Sequence, residues 1–228
     1  MSKIFVKLVQ TRAGMITILT QKNSIANHFI AELRHVSIQQ DRLRFRRNLE
    51  RLGEIMAYEI SKTLSYSPAE VETPLGIAET KTLDEQPVLI TIIRAGLPFH
   101  QGFLNVFDEA SSGFIAAFRH TKKSGEFEIH KKYDSTPNLD GKVVIISDPM
   151  LATGKSLVLC CKELLSEYNI KELHIASIIA SEEGLPHLQA FVPEAHIWIC
   201  DVDKELTSKA YIVPGLGDAG DLAYGSKE

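Results

Sequence analysis

The chain has 228 residues, 44% of them hydrophobic and 24% charged, which is typical of a globular protein with one large domain or two small ones. Its formal net charge of −4 leaves no basic excess, so nucleic acid is not expected as the principal partner. No apolar run approaches the roughly 20 residues that span a bilayer, and the first residues lack a signal-peptide pattern, so we expect a cytoplasmic protein with no membrane partner.

The first part of the chain is predicted to be helical, over residues 24–36 and 39–64. Apolar residues of the second segment recur at steps of three and four and form one stripe, made of Leu49, Leu52, Met56, Ile60 and Leu64. We interpret the stripe as core or as a surface for packing against another subunit. The arginine cluster at positions 42, 44, 46, 47 and 51 either forms a solvated helix face or binds phosphate or acidic partners.

From residue 87 onward, short apolar runs rich in β-branched residues alternate with helical stretches. The predicted strands are Val88–Ile93, Gly113–Phe118, Val143–Ser147, His174–Ala180 and His196–Cys200, with helices at about 97–107, 154–168 and 182–190. Because the hydrophobicity of the strands is continuous, we expect a mainly parallel sheet covered by helices on both faces. The sequence predicts one α/β domain over 1–228, with a helical N-terminal extension (1–70), a core (71–202) and a tail (203–228).

The cysteines and histidines favour neither a disulfide framework nor a metal site. The three cysteines, Cys160, Cys161 and Cys200, are expected to pack in the core. The eight histidines are scattered without metal-ligand spacing, so any metal is expected to arrive with a substrate.

The segment after the third predicted strand is the most informative, because open parallel sheets bind ligands beyond the carboxyl ends of their strands. An Asp-Pro pair at 148–149 leads through small residues at 152–154 into a helix. Main-chain N–H groups at such a helix start, with hydroxyls from Thr153 and Ser156, suit a phosphate. A capped strand-to-helix turn is the plainer alternative. The Gly-Lys-Ser triplet does not complete a P-loop, because Pro149 stands where that motif requires glycine.

Three separated segments carry a family resemblance: DPMLATGKS at 148–156, IRAGLP at 93–98 and YIVPGLGDAGD at 211–221. The first is similar to the phosphoribosyl pyrophosphate (PRPP) signature of uracil phosphoribosyltransferases, and the others resemble further segments of the same enzymes. The resemblance covers the chain from the helices near residue 28 to the end. It implies the type I phosphoribosyltransferase fold, with the tail forming a base-binding hood.

The resemblance implies transfer of phosphoribose from PRPP to uracil through an oxocarbenium-like state, giving UMP and pyrophosphate in pyrimidine salvage. It also implies Mg²⁺ bound with PRPP, a homodimer or higher homo-oligomer, and GTP as an effector in some relatives. The implied catalytic residues are Asp148, Arg94 and Asp218. The implied PRPP-binding residues are Arg94, Arg119, Asp148, Pro149, Met150, Leu151, Ala152, Thr153, Gly154, Lys155, Ser156 and Asp218. Uracil is expected to contact Ile212, Gly217, Asp218 and Ala219.

Within these sets, Asp148 is implied to hydrogen-bond the ribose hydroxyls, and Arg94 and Arg119 are implied to bind the pyrophosphate. A structural salt bridge would also explain either arginine. The glycine- and proline-rich tail predicts a turn whose exposed main chain presents N–H and C=O groups to a flat base. A fixed pattern of such groups that suits uracil would leave buried groups unpaired with cytosine. Residues 119–138 are interpreted as an arm that closes over the site or as an exposed hairpin.

Three features depart from the family pattern: Lys155 stands where a second glycine is usual, Leu222 stands where arginine is usual, and the segment after Arg119 lacks the family's more acidic sequence and its usual tyrosine pair. Two alternative functions stay open. One is a phosphoribosyltransferase for another base. The other is a non-catalytic nucleotide- or RNA-binding regulator on the same fold, for which the arginine cluster is the supporting feature.

Overall fold

A computed structural model describes residues 14–121 and 127–226, and for residues 117–134 within these ranges only the backbone is described. The strands are β1 (Ile16–Ile18), β2 (Tyr66–Thr73), β3 (Gly76–Leu83), β4 (Val88–Ile93), β5 (Ser112–Thr121), β6 (Phe127–Ser135), β7 (Val143–Ser147), β8 (Met150–Leu151), β9 (Glu172–Ser181), β10 (His196–Asp203), β11 (Glu205–Leu206) and β12 (Ile212–Val213). The α-helices are α1 (Ile25–Arg34), α2 (Arg42–Ser61), α3 (Gly96–Leu104), α4 (Lys155–Glu167), α5 (Gly184–Phe191) and α6 (Ala219–Tyr224).

The central sheet has the strand order β1-β10-β9-β7-β4-β5-β6, and β8 pairs with β9 beside this path. Every neighbouring pair is parallel except β5 and β6, which are antiparallel. The predicted mainly parallel sheet with flanking helices is therefore confirmed. The carboxyl ends of the parallel strands meet at one edge of this sheet, which places the loops that follow them side by side.

Helices cover the sheet on both faces, as the continuous apolar runs predict. In β4, Leu89 belongs to the apolar cluster that includes α1, α2 and α3, whereas Ile90 and Ile92 belong to the cluster that includes α4 and α5. Successive strand side chains point to opposite faces, so a strand buried on both faces needs an apolar residue at nearly every position. None of the helices in the described ranges is both long and apolar enough to cross a membrane.

The apolar stripe of α2 is core within this chain. Leu49, Leu52, Met56 and Ile60 are fully buried, and Leu64 packs partly buried against the same cluster. The interpretation of the stripe as a subunit-packing surface is therefore wrong, because the remainder of the chain already covers it. The three cysteines pack in the core as predicted, two on α4 and one on β10.

Two hairpins extend the fold. The sequence predicts no element over residues 65–86, where β2 and β3 form an antiparallel hairpin with almost every residue exposed. The hairpin lacks a buried apolar face, so it also lacks the alternation that reveals a strand. The pairing of β5 with β6 agrees with the hairpin interpretation of residues 119–138. Closure of this segment over a ligand stays a prediction, and residues 122–126 lie outside the described ranges.

Candidate active site

The predicted phosphate-binding turn has the expected strand–loop–helix form. Strand β7 is buried throughout and ends at Ser147, and α4 begins at Lys155. Gly154, just before the helix, has a φ of +73°, which L side chains rarely adopt. A Cβ at this position would also lie 2.9 Å from the carbonyl oxygen of Gly184. Glycine is thus required here by both backbone conformation and close packing.

The loop is fixed to the neighbouring strand β9 by hydrogen bonds. The carbonyl oxygen of Pro149 accepts from the N–H groups of Ile178 and Ile179 at 3.1 and 3.0 Å. The hydroxyl of Ser181 donates to the carbonyl oxygen of Ala152 at 2.6 Å, and that of Ser177 donates to the carbonyl oxygen of Asp148. The loop is therefore held in place before any ligand binds.

The start of α4 is suited to an anion. In the part of the chain that the structure describes, no side chain caps this helix, so the first-turn N–H groups are not used by a capping residue. A small pocket, about 30 Å³ in volume, is lined by Asp148 and residues 150–157. Lys155 is the first helical residue and its side chain is exposed, so a lysine at this position displaces no packed neighbour.

Asp148 lies at the entrance of this loop, half-buried at the carboxyl end of β7. Its Oδ1 accepts a hydrogen bond from the N–H of Met150 at 3.2 Å, and its own N–H donates to the carbonyl oxygen of Ala176 at 3.1 Å. These two contacts fix both the backbone and the carboxylate of Asp148.

Arg94 follows β4, the strand next to β7, where Thr91 is in register with Ser147. One of its terminal nitrogens, Nη2, donates to Asp221 Oδ1 at 3.1 Å and to the carbonyl oxygen of Gly225 at 3.4 Å. This ion pair is the kind of contact that the salt-bridge interpretation of Arg94 expects, and binding of pyrophosphate by this arginine stays a prediction. The Arg94 side chain is nevertheless 36% exposed, so it also reaches the surface at the carboxyl edge of the sheet.

Arg119 lies on β5, three residues beyond Ala116, which is in register with Ile93 at the end of β4. Its backbone is therefore past the carboxyl end of β4, on the same edge as Arg94. The side chain of Arg119 lies outside what the structure describes, so contact of this residue with a ligand stays a prediction.

The C-terminal tail combines buried anchors with exposed backbone. The side chains of Ile212 and Ala219 are buried, whereas Gly217 and Asp218 between them are exposed. Asp218 caps α6, because its Oδ1 accepts from the N–H of Asp221 at 3.0 Å. The sequence predicts a turn here and misses the short helix, but the exposed main chain of Gly217 and Asp218 agrees with the predicted base-binding segment.

The tail is attached to the sheet edge at two places that flank the phosphate loop. Asp203, the last residue of β10, accepts from the N–H of Gly215 at 2.9 Å, and Arg94 after β4 pairs with Asp221. In the order β10-β9-β7-β4, the loop after β7 lies between these attachments. Asp148, Arg94 and Asp218 are thus brought to the same edge of the sheet.

Three residues of this arrangement escape sequence reasoning: Arg34, Asp203 and Asp221. Arg34, at the end of α1, donates to Asp203 at 2.8 and 2.9 Å and to the carbonyl oxygen of Gly215 at 3.0 Å. A signal for Asp203 exists, because it is a polar residue at the carboxyl end of a parallel strand. The predicted strand ends three residues early, at Cys200, and so misses it.

The arginine cluster of α2 is used largely within the chain. Arg44 pairs with Glu32 of α1, Arg47 with Glu50 at 2.7 Å, and Arg46 donates to the carbonyl oxygen of Ala223 in α6 at 2.7 Å. The guanidinium of Arg51 lies 5.1 Å from the centre of the Phe29 ring. The cluster thus joins helices α1, α2 and α6 and does not form one free basic surface.

The contact between Arg44 and Glu32 predicts a pH-dependent contribution to stability. Hydrogen bonds from Arg44 and Asn48 outweigh burial and lower the pKa of Glu32 from an ordinary 4.5 to about 2. A carboxyl group with a lowered folded-state pKa stabilises the fold above pH 4.5, and this contribution disappears as the pH falls toward 2. We expect Glu32→Gln to reduce the free energy of unfolding most at pH 7 and progressively less from pH 4.5 to 2, as measured by urea denaturation.

The matched control is Glu72→Gln on β2 of the exposed hairpin, a substitution that should change the free energy of unfolding little at any pH. A loss of stability in Glu32→Gln that is the same at pH 7 and pH 2.5 would contradict the assigned ion pair.

Comparison with known proteins agrees with this geometry. The family model described as uracil phosphoribosyltransferase matches residues 19–226. The uracil phosphoribosyltransferase of Porphyromonas gingivalis is 52% identical over 210 residues, covering 92% of this chain and 97% of the relative. The enzyme of the same name from Thermococcus gammatolerans is 39% identical over 189 residues, covering 82% and 84%. Among solved structures, the AQ2163 protein of Aquifex aeolicus is 34% identical, with a TM-score of 0.82 and coverage of 92% and 98%.

Proposed function

The chain belongs to the uracil phosphoribosyltransferase family, and on that premise we propose that it transfers phosphoribose from Mg²⁺-bound PRPP to uracil, forming UMP and pyrophosphate. The observation that carries the proposal is the placement of the DPMLATG loop between the two attachments of the tail. A donor held on this loop and a base held by the tail would meet at one edge of the sheet. Orienting two reactants in this way is a large part of what such a transfer requires.

For the donor, we propose that the first-turn N–H groups of α4 and the hydroxyls of Thr153 and Ser156 hold the 5′-phosphate. The Asp148 carboxylate hydrogen-bonds the ribose hydroxyls, where its charge favours the positive charge that develops on the sugar. Arg94 and Arg119 bind the pyrophosphate, whose oxygens suit the planar guanidinium group. No covalent nucleophile is needed, because the sugar carbon passes through a cationic state.

For the base, we propose contacts with Ile212, Gly217, Asp218 and Ala219. The buried side chains of Ile212 and Ala219 fix the backbone on either side of the exposed residues. Uracil has an N3–H donor between two carbonyl acceptors, and cytosine reverses this pattern at N3 and at position 4. A fixed set of main-chain groups that suits uracil would leave buried groups unpaired with cytosine.

Mg²⁺ is proposed to enter on the pyrophosphate of the donor. The carboxylates of Asp148 and Asp218 are oxygen donors of the kind that Mg²⁺ accepts, which supports this assignment. GTP as an effector stays a prediction from the resemblance and is tested by adding GTP to the assay described below. A cytoplasmic location is supported by three buried cysteines that form no disulfide.

The test is an assay of purified protein with uracil, PRPP and magnesium, followed by separation of the nucleotide product. UMP is expected, and cytosine or hypoxanthine at equal concentration should give far less product. Absence of UMP would overturn the proposal, and a comparable yield from another base would favour the alternative acceptor. The regulator alternative loses its supporting feature, because most of the arginine cluster is engaged within the chain.

We also propose that the chain works as a homodimer or higher homo-oligomer, and that the β2–β3 hairpin contacts a second copy. Leu75 at the hairpin turn is 99% exposed and Ile77 beside it is 70% exposed. Neighbouring exposed apolar side chains on one projecting element are typical of an interaction surface. We expect Leu75→Glu combined with Ile77→Lys to shift the sedimentation coefficient at micromolar concentration from an oligomer toward a monomer.

Val36→Glu is the matched control, because Val36 is 71% exposed on a loop away from the hairpin and its substitution should leave sedimentation unchanged. A wild-type protein that sediments as a monomer, or a hairpin variant that stays fully oligomeric, would contradict this proposal.

A further inference from the structure

One group of charged side chains, one buried and two half-buried, lies beside the proposed base site without belonging to it. Arg34 ends α1, and Asp201 and Asp203 lie at the carboxyl end of β10. Arg34 donates to both oxygens of Asp203, at 2.8 and 2.9 Å, and to one oxygen of Asp201 at 2.8 Å. Asp203 is 6% exposed and the Arg34 side chain 19% exposed, so the contact between them is largely shielded from water.

Asp203 and Arg34 also bind both main-chain polar groups of Gly215 in the tail. Asp203 Oδ2 accepts from the Gly215 N–H at 2.9 Å, and Arg34 Nη1 donates to the Gly215 carbonyl oxygen at 3.0 Å. Gly215 has a φ of +58°, and a Cβ there would lie 2.1 Å from the carbonyl oxygen of Ile212. The backbone at Gly215 is thus held from two sides, in a conformation that leaves no room for a side chain.

The position of Gly215 connects this pair to base recognition. Gly215 lies two residues before Gly217 and three after Ile212, both proposed to contact uracil. Hydrogen bonds between fixed groups can discriminate between bases only if the backbone that presents them does not shift. A displacement of about 1 Å at such a site can change rates by two orders of magnitude.

We propose that Arg34 and Asp203 form a positioning pair, the Arg34–Asp203 clamp, which holds the tail in the geometry that recognises uracil. The inference rests on the proposed function and assigns to it two residues that lie outside the proposed substrate contacts. Burial disfavours the charged form of Arg34, but its hydrogen bonds with Asp203 and Asp201 outweigh that effect and raise its pKa. The guanidinium of Arg34 therefore stays charged in the clamp.

The test compares Asp203→Asn with Asp201→Asn. Both variants remove one carboxylate from the same arginine, but only Asp203 contacts the tail. For Asp203→Asn we expect the KM for uracil to rise about tenfold and the preference for uracil over cytosine to fall, with the KM for PRPP changed less than twofold. A tenfold change corresponds to about 1.4 kcal/mol, the scale of one hydrogen bond. Asp201→Asn should change each constant less than twofold.

A purely structural role would give a different result, because partial unfolding lowers the apparent kcat and leaves the KM for uracil unchanged. That result, or equal effects of the two variants, would overturn the inference. If Asp203→Asn fails to fold, Arg34→Lys decides, because lysine keeps the charge and loses the paired donors; it should raise the KM for uracil in the same way. Calorimetric titration with UMP is measured in parallel, so weaker UMP binding tests the clamp even if the wild type proves inactive with uracil.

Discussion

Asp148→Asn is expected to lower the kcat of UMP formation by about 10²- to 10³-fold, because it removes the negative charge proposed to face the cationic sugar. Losing one preorganised electrostatic contact to a transition state typically costs about 3–4 kcal/mol. Asparagine keeps the Oδ1 that accepts the Met150 N–H, so the loop should retain its conformation. The measurement is steady-state release of pyrophosphate, with thermal unfolding of the variant followed beside it.

Asp140→Asn is the matched control for this substitution. Asp140 also fixes a loop through its Oδ1, which accepts from the N–H of Asn169 at 2.8 Å, but it lies before β7 at the opposite end of the strand. The control should retain kcat within about twofold. If Asp148→Asn keeps the activity of the wild type, Asp148 has no role in the chemistry, and the assignment of the donor to this loop fails with it.

The elements that sequence predicts best are those whose environment is uniform along their length. Strands β4 and β7 occupy the predicted bounds because every position except Thr91 and Ser147 is apolar and both faces are covered by helices. The loop at 148–154 is equally predictable, since its small residues and its glycine with positive φ are local requirements. The exposed β2–β3 hairpin has no buried face, and the sequence therefore gives no period from which to infer it.

Contacts between distant residues are the part that sequence reasoning misses. Arg34 and Asp203 are 169 positions apart, and Arg94 and Asp221 are 127 apart, so no spacing rule links either pair. The α2 stripe illustrates the converse limit: periodicity predicts one apolar face, but burial within the chain and burial against another subunit require the same pattern. The contacts of the arginine cluster are likewise undecided by the sequence pattern, because they depend on where α1 and α6 pack.

Arg94→Gln is expected to lower kcat/KM for PRPP by about 10²-fold. Removing one partner of a charge pair with a bound anion commonly costs 2–5 kcal/mol, and about 3 kcal/mol corresponds to this change. Glutamine keeps a polar side chain of moderate length but loses the charge and the planar set of donors. The effect should fall on PRPP, with the KM for uracil changed much less, as measured by varying each substrate at saturating concentration of the other.

The ion pair between Arg94 and Asp221 supplies the control that separates the two interpretations of this arginine. Asp221→Asn breaks the same pair and leaves the Arg94 charge in place. If Arg94 binds pyrophosphate, Asp221→Asn should retain kcat/KM for PRPP within about fivefold, because the arginine is still available to the donor. If Arg94 serves only to attach α6 to the sheet, both variants should lose activity to the same degree. Equal losses would therefore contradict the proposed role, since Asp221→Asn leaves the Arg94 guanidinium available to pyrophosphate whereas Arg94→Gln removes it.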